Sequence, residues 1–202
     1  MKTGDYSGGA PVIGDSLALD LVNTLYTPRG HLRDGIASDA DLAGWLEAVR
    51  PRLGSARVGA VASGDLNRFH DLRGTIRSLV ESVSSGRPLD SASVAQVNAA
   101  SRLAPSWTEL RLDAEAVERT SASDTEGVDA TLASLARDAI DLLSGDKAAM
   151  LRTCEAHNCS LFFLKDHPRR EWCSASCGAR VRSARAYARR TAAVEAGDAH
   201  SA

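Results

Sequence analysis

The sequence predicts a mainly α-helical chain with a small β-hairpin or sheet: a multihelical N-terminal domain followed by a compact C-terminal module held by cysteines. Three observations carry this. Apolar residues recur at helical spacing in five segments between residues 15 and 145. One stretch, WTELRLDAEAVERTSAS, instead alternates Leu110 and Leu112 with polar neighbours. All four cysteines fall between residues 154 and 177.

The first helix is expected in DSLALDLVNTLY, where Ala18, Leu21, Val22 and Leu25 share a face and Asp15 or Ser16 can cap the start. The loop TPRGHLRDGIA follows. Ser38 caps SDADLAGWLEAVR, with Leu42, Trp45, Leu46 and Val49 at i, i+3, i+4 and i+7, and Pro51 stops it. From Asp65 to Ser84 the same period runs through Phe69, Leu72, Ile76, Leu79, Val80 and Val83, and Gly86 suits the closing turn. DSASVAQVNAASRLA is a further helix ending at Pro105. The alternating stretch then reads as a hairpin. GVDATLASLARDAIDLLSG returns to helix with Leu132, Leu135, Ala136, Ala139 and Leu143 inward, and Gly145 ends it.

With 202 residues, 44% hydrophobic and 25% charged, the chain can bury one good core and carry a small appendage. No run approaches the about eighteen consecutive apolar residues of a membrane span, and MKTGDYSGGAPVIGD lacks the features of a secretory signal. A cytoplasmic location without membrane contact is therefore expected, where thiols stay reduced and clustered cysteines bind metal rather than pair. The net charge of -2 hides an asymmetry: residues 1–149 carry 15 Lys and Arg against 21 Asp and Glu, residues 150–202 carry 9 against 5. An acidic body with a basic end suggests nucleic-acid contact at that end.

Cys154 and Cys159 are separated by four residues, Cys173 and Cys177 by three, and the pairs by thirteen. Two short pairs around such a spacer close four thiolates about one tetrahedral structural zinc per chain, with no open position for catalysis. In the spacer, Phe162 and Leu164 alternate with Phe163 and Lys165, and Asp166 to Pro168 offers a turn. A hairpin through that turn would bring the second pair back to the first. A helix, GARVRSARAYARR, starts at Cys177. A knuckle, a hairpin and a helix bearing the last ligand describe a treble-clef-like zinc finger.

The segment LRTCEAHNCSLFFLKDHPRREWCSASCGAR resembles the CGNR-type zinc finger at the C-terminus of bacterial transcription regulators. The likeness lies in the cysteine spacing, the aromatic strand, Arg169, Arg170, Trp172, Cys173, Cys177, Gly178 and Arg180. The family's Asn is Ala179 here, so no role is carried over for it. LALDLVNTL with the SDADLAGWL helix is similar to the start of the ABATE-type domain that accompanies this finger. The resemblance implies a stress-induced or antibiotic-linked regulator, with an ABATE-like regulatory domain over 1–148, the finger and its basic helix over 149–191, and a disordered tail over 192–202.

At about 100° per residue, Arg182, Arg185 and Arg189 fall within about 60° of one another on the last helix, beside an apolar arc of Val181, Ala184, Tyr187 and Ala188 expected to pack on the finger. Guanidinium groups suit phosphates and guanine edges, so these three, with Arg169 and Arg170 as phosphate contacts, are expected to bind double-stranded DNA. Arg180 lies off the stripe and is expected to be structural, packing against the finger or pairing with a carboxylate for which Asp166 and Glu171 are candidates, alongside Gly178 and Trp172. The body has no GxSxG, phosphate loop or His-Glu metalloprotease pair, and no enzymatic activity is expected. Asp20 and Asn23 interrupt an apolar face. They read as a cap or an inter-helix hydrogen bond, or, if the body senses a small-molecule effector, as ligand groups beside the TPRGH loop. The body could also form a homodimer. The competing reading is an interaction module whose finger docks an acidic protein and touches no DNA.

Overall fold

Side-chain caps start most of the expected helices. A computed structural model describes residues 5–7, 9–53, 61–113 and 116–198. Strands β1 (Asp5–Ser7) and β2 (Ala10–Val12) form a short antiparallel pair, followed by α1 (Leu17–Val22), whose cap Ser16 accepts from the Leu19 N–H at 3.4 Å. Strands β3 (Leu25–Tyr26) and β4 (Arg33–Asp34) pair across the TPRGHL loop. α2 (Asp39–Val49) is capped by Ser38, and α3 (Asp65–Ser84) and α4 (Ser91–Ser101) follow, the latter capped by Asp90. Strands β5 (Trp107–Asp113) and β6 (Ala116–Ala122) make the expected hairpin, and α5 is Gly127–Ser144. Strands β7 (Leu151–Thr153) and β8 (Phe162–Leu164) pair antiparallel, and α6 (Ala175–Asp198) ends the described chain. Among the described residues no helix is long and apolar enough to cross a membrane.

The main core gathers Leu19, Leu21, Trp45, Leu46, Phe69, Ile76, Leu79, Leu135 and Leu142 from α1, α2, α3 and α5. Each such side chain taken fully out of water contributes about 1.5–3 kcal/mol. Leu151, Phe162 and Leu164 of β7 and β8 belong to this same core. A second core surrounds the cysteines: Cys154, Cys173, Cys177, Leu161 and Phe163 with Ile13 and Tyr26 from the front of the chain. Strand β8 is the wall between them, its alternate residues facing opposite ways. The finger therefore does not pack as a separate body.

Three details depart from the sequence reading. α1 stops at Val22, and Leu25 lies in β3 rather than on the helix face; Asn23 leaves the helix to use its side chain elsewhere. The finger's hairpin brackets the first cysteine pair, β8 pairing back with β7, whereas the turn leading toward the second pair lies at 167–170, closed by the Arg170 N–H on the His167 carbonyl at 2.9 Å. Residues 192–198, expected as disordered tail, continue α6, and 199–202 lie outside the described residues.

Candidate metal centre and basic helix

β7 delivers Cys154 into a knuckle in which both cysteine N–H groups are bonded locally. The Cys154 N–H donates to the Leu161 carbonyl at 2.8 Å and the Cys159 N–H to Ala156 at 3.0 Å. Asn158, at the tightest point, has φ 59°, a left-handed conformation that Asn tolerates better than most side chains. The second pair sits at the start of α6. Ser174 caps it, its hydroxyl oxygen accepting from the Cys177 N–H at 3.3 Å and its carbonyl from Gly178 at 3.2 Å, so Cys177 projects from the first turn.

The four Sγ atoms lie within 4.8 Å of one another, with Cys159 to Cys173 at 3.7 Å and Cys173 to Cys177 at 3.5 Å. A tetrahedral zinc at a Zn–S distance of about 2.3 Å sets its sulfurs about 3.8 Å apart, which matches. A disulfide needs about 2.05 Å, and all four cysteines are free. Hydrogen-bonded to one another, the thiols split: Cys154, beside Cys159, is lowered to about 7, and Cys177, beside Cys154, is also lowered. Cys159 and Cys173, both beside Cys154, are pushed up. Packed thiols cannot all ionise unaided, and a divalent cation removes that conflict. The residues fit one structural zinc, which supplies a four-way crosslink between the knuckle and α6.

The surroundings serve that site. Arg180 donates from Nη2 to Cys177 Sγ at 3.2 Å, a charge-assisted bond that offsets the negative charge of a four-thiolate shell. Its partner is the finger's own cysteine rather than Asp166 or Glu171. A Cβ on Gly178 would stand 3.0 Å from Trp172 Cδ1 and 3.1 Å from Arg182 Nη1, so the missing side chain lets Trp172 close over the helix start. Tyr26 donates to the Gly9 carbonyl, and Thr27 donates to Ser160 at 3.0 Å, seating the front of the chain on the knuckle.

The outer edge of β8 is finished by side chains of the body. Asn23, fully buried, donates from Nδ2 to the Phe162 carbonyl at 2.9 Å and accepts the Phe162 N–H on Oδ1 at 2.9 Å. Asp15 accepts the Leu164 N–H at 3.0 Å. Two carboxamide and carboxylate groups thus stand in for a neighbouring strand. Asp20 is likewise buried and consumed: it accepts from the N–H groups of Ile13 at 2.8 Å and Gly14 at 3.0 Å and pairs with Arg52. Burial pushes its carboxyl above the usual range, against these donors. Asp20 and Asn23 therefore act as structural ties. Arg170 is tied to the body as well. Its guanidinium grips Asp15 bidentately at 3.0 and 2.8 Å, reaches Asp166 at 3.2 Å and lies 5.1 Å over the Phe163 ring. Its side chain is 13% exposed and borders the groove at the base of α6.

Arg169, Arg182, Arg185 and Arg189 are exposed. The expected apolar arc of α6 is not covered: Val181 packs on the second core, but Ala184 and Ala188 are exposed and Tyr187 is 73% exposed. Beyond its first turns α6 leaves the body, presenting arginines and a tyrosine together. At its base a groove of about 300 Å³ runs between the β7–β8 hairpin and the helix, with Arg152, Lys165 and Arg185 beside Trp172, and with Glu155 and Glu171 at its rim. Arg152 and Lys165 were not singled out by the sequence, which spaces them 13 residues apart; only the β7–β8 pairing sets them on one ribbon.

The ABATE family model, described as "Putative stress-induced transcription regulator", matches residues 15–146, and the CGNR zinc finger model matches residues 150–190. Comparison with curated proteins finds no match.

Proposed function

For a chain that belongs to the ABATE family of transcription regulators and ends in a CGNR zinc finger, we infer that regulation works through direct contact of the finger and its helix with double-stranded DNA. The observation that carries this reading is the exposed row of Arg182, Arg185 and Arg189 on a helix whose first turn is pinned by the cysteine cluster. A helix fixed at its base presents guanidinium groups in a set direction, to phosphates on either side of a groove and to base edges within it. Arg169, Arg152 and Lys165 extend the basic surface toward a second phosphate strand. The body is the part suited to carry a signal, because Asn23 and Asp15 join it to β8 without a flexible joint.

The full zinc-loaded chain, with Arg182, Arg185 and Arg189 all changed to Ala, tests this in fluorescence anisotropy on duplex DNA. The expected result is loss of binding with zinc content and thermal midpoint unchanged. Undiminished binding would overturn the reading and favour the finger as a docking site for an acidic protein.

A further inference from the structure

Strands β5 and β6 stand away from the helices. The six β5 residues from Trp107 to Leu112 are all exposed, and the two strands pack chiefly on each other. The register, Leu110 opposite Arg119 and Leu112 opposite Val117, sorts the side chains. Leu110, Leu112 and Val117, which are 79%, 82% and 65% exposed, share one face. Glu109, Arg111 and Glu118 share the other. A lone two-stranded ribbon is marginal in water, and its free edge is a template for another strand. The ladder closes on Asp113 and Ala116 with two residues between them. A connection that short makes the closing pair hydrogen-bonded, and by alternation the N–H and C=O groups of Thr108, Leu110 and Leu112 point away from β6.

We propose that this edge of β5 pairs antiparallel with the same edge of a second copy of the chain, about a two-fold axis at Leu110. In that register Leu110 meets Leu110 of the second copy, Thr108 meets Leu112, and Glu109 meets Arg111 on both sides of the axis. The outward backbone groups of residues 108, 110 and 112 then find partners, both charge pairs are complementary, and the apolar faces join in one four-stranded sheet. Registers centred one residue to either side fail. They set Glu109 against Glu109 or Arg111 against Arg111, and registers centred between two residues leave the backbone groups out of phase. An isologous contact of this kind closes on itself at two copies. The inference does not depend on DNA binding.

The test uses the full zinc-loaded chain in analytical ultracentrifugation. The parent is expected to dimerise at micromolar concentration. Glu109→Arg and Arg111→Glu, each alone, should weaken the dimer by about tenfold or more, because two opposite-charge pairs become like-charge pairs. Mixing the two variants should restore a dimer with parental affinity, since a Glu109→Arg chain facing an Arg111→Glu chain has two complementary pairs again; misfolded variants could not do this. A monomeric parent, single variants that dimerise like the parent, or a mixture that stays monomeric would each overturn the proposal.

Discussion

Replacing Asn23 with Leu keeps the number and branching of side-chain heavy atoms and removes both hydrogen bonds to Phe162. Asn23 is fully buried, and its two bonds at 2.9 Å satisfy the only outward N–H and C=O that β8 presents at that residue. Water cannot replace them inside the core, so two backbone groups lose their partners, each at about 1–3 kcal/mol, for a total of about 2–6 kcal/mol. Against a whole-domain stability of about 5–15 kcal/mol this is a large fraction. Urea unfolding of the zinc-loaded variant and parent measures it directly as a shift in midpoint at unchanged slope. Because β8 walls both cores, zinc should also pass to a competing chelator sooner in the variant. A loss below about 0.5 kcal/mol, the range of surface substitutions, would refute the claim that Asn23 is the joint between body and finger.

Metal analysis should find one zinc per chain, with Cys154, Cys159, Cys173 and Cys177 unreactive toward a thiol reagent until a chelator is added. Stripping the metal should alter the near-ultraviolet circular dichroism of Tyr26 and Trp172, which border the cysteines, while α3 to α5 keep their far-ultraviolet signal. Asp34 gives a pH signature. Burial pushes its carboxyl up, but the Arg73 guanidinium, bonded through two contacts at 2.6 Å, outweighs burial and holds it below the ordinary 3.8. A depressed carboxyl contributes stability that is full above the unfolded-state value and fades as pH falls through the folded one. Asp34→Asn should therefore be less stable than the parent at pH 7, with the gap closing below about pH 4.

Local chemistry made much of this architecture legible. Ser38 and Pro51 bound α2, the apolar period of residues 69–83 runs through α3, and the cysteine spacing gave the sulfur cluster its members. What stayed hidden depends on partners far along the chain. Arg170 looks like a free basic residue until Asp15, 155 positions earlier, is brought beside it. Asn23 looks like a polar interruption until β8 arrives at its amide. The strand Phe162–Leu164 is buried on both faces, so alternation could not reveal its partner, and β7 is too short to carry a pattern. The apolar arc on α6 looked like a packing face because periodicity reports an amphipathic helix without reporting whether anything covers it.

The salt dependence of DNA binding by the full zinc-loaded chain tests α6 as the DNA-contacting element most directly. Plotting the logarithm of affinity against the logarithm of salt concentration should give a steep negative slope. Changing Arg182, Arg185 or Arg189 singly to Ala should flatten that slope by about one for each phosphate contact removed. Changing Arg170, by contrast, should lower stability through loss of its pairing with Asp15. A slope near zero, or one that none of the three helix substitutions moves, would contradict the assignment of α6 as the DNA-contacting element.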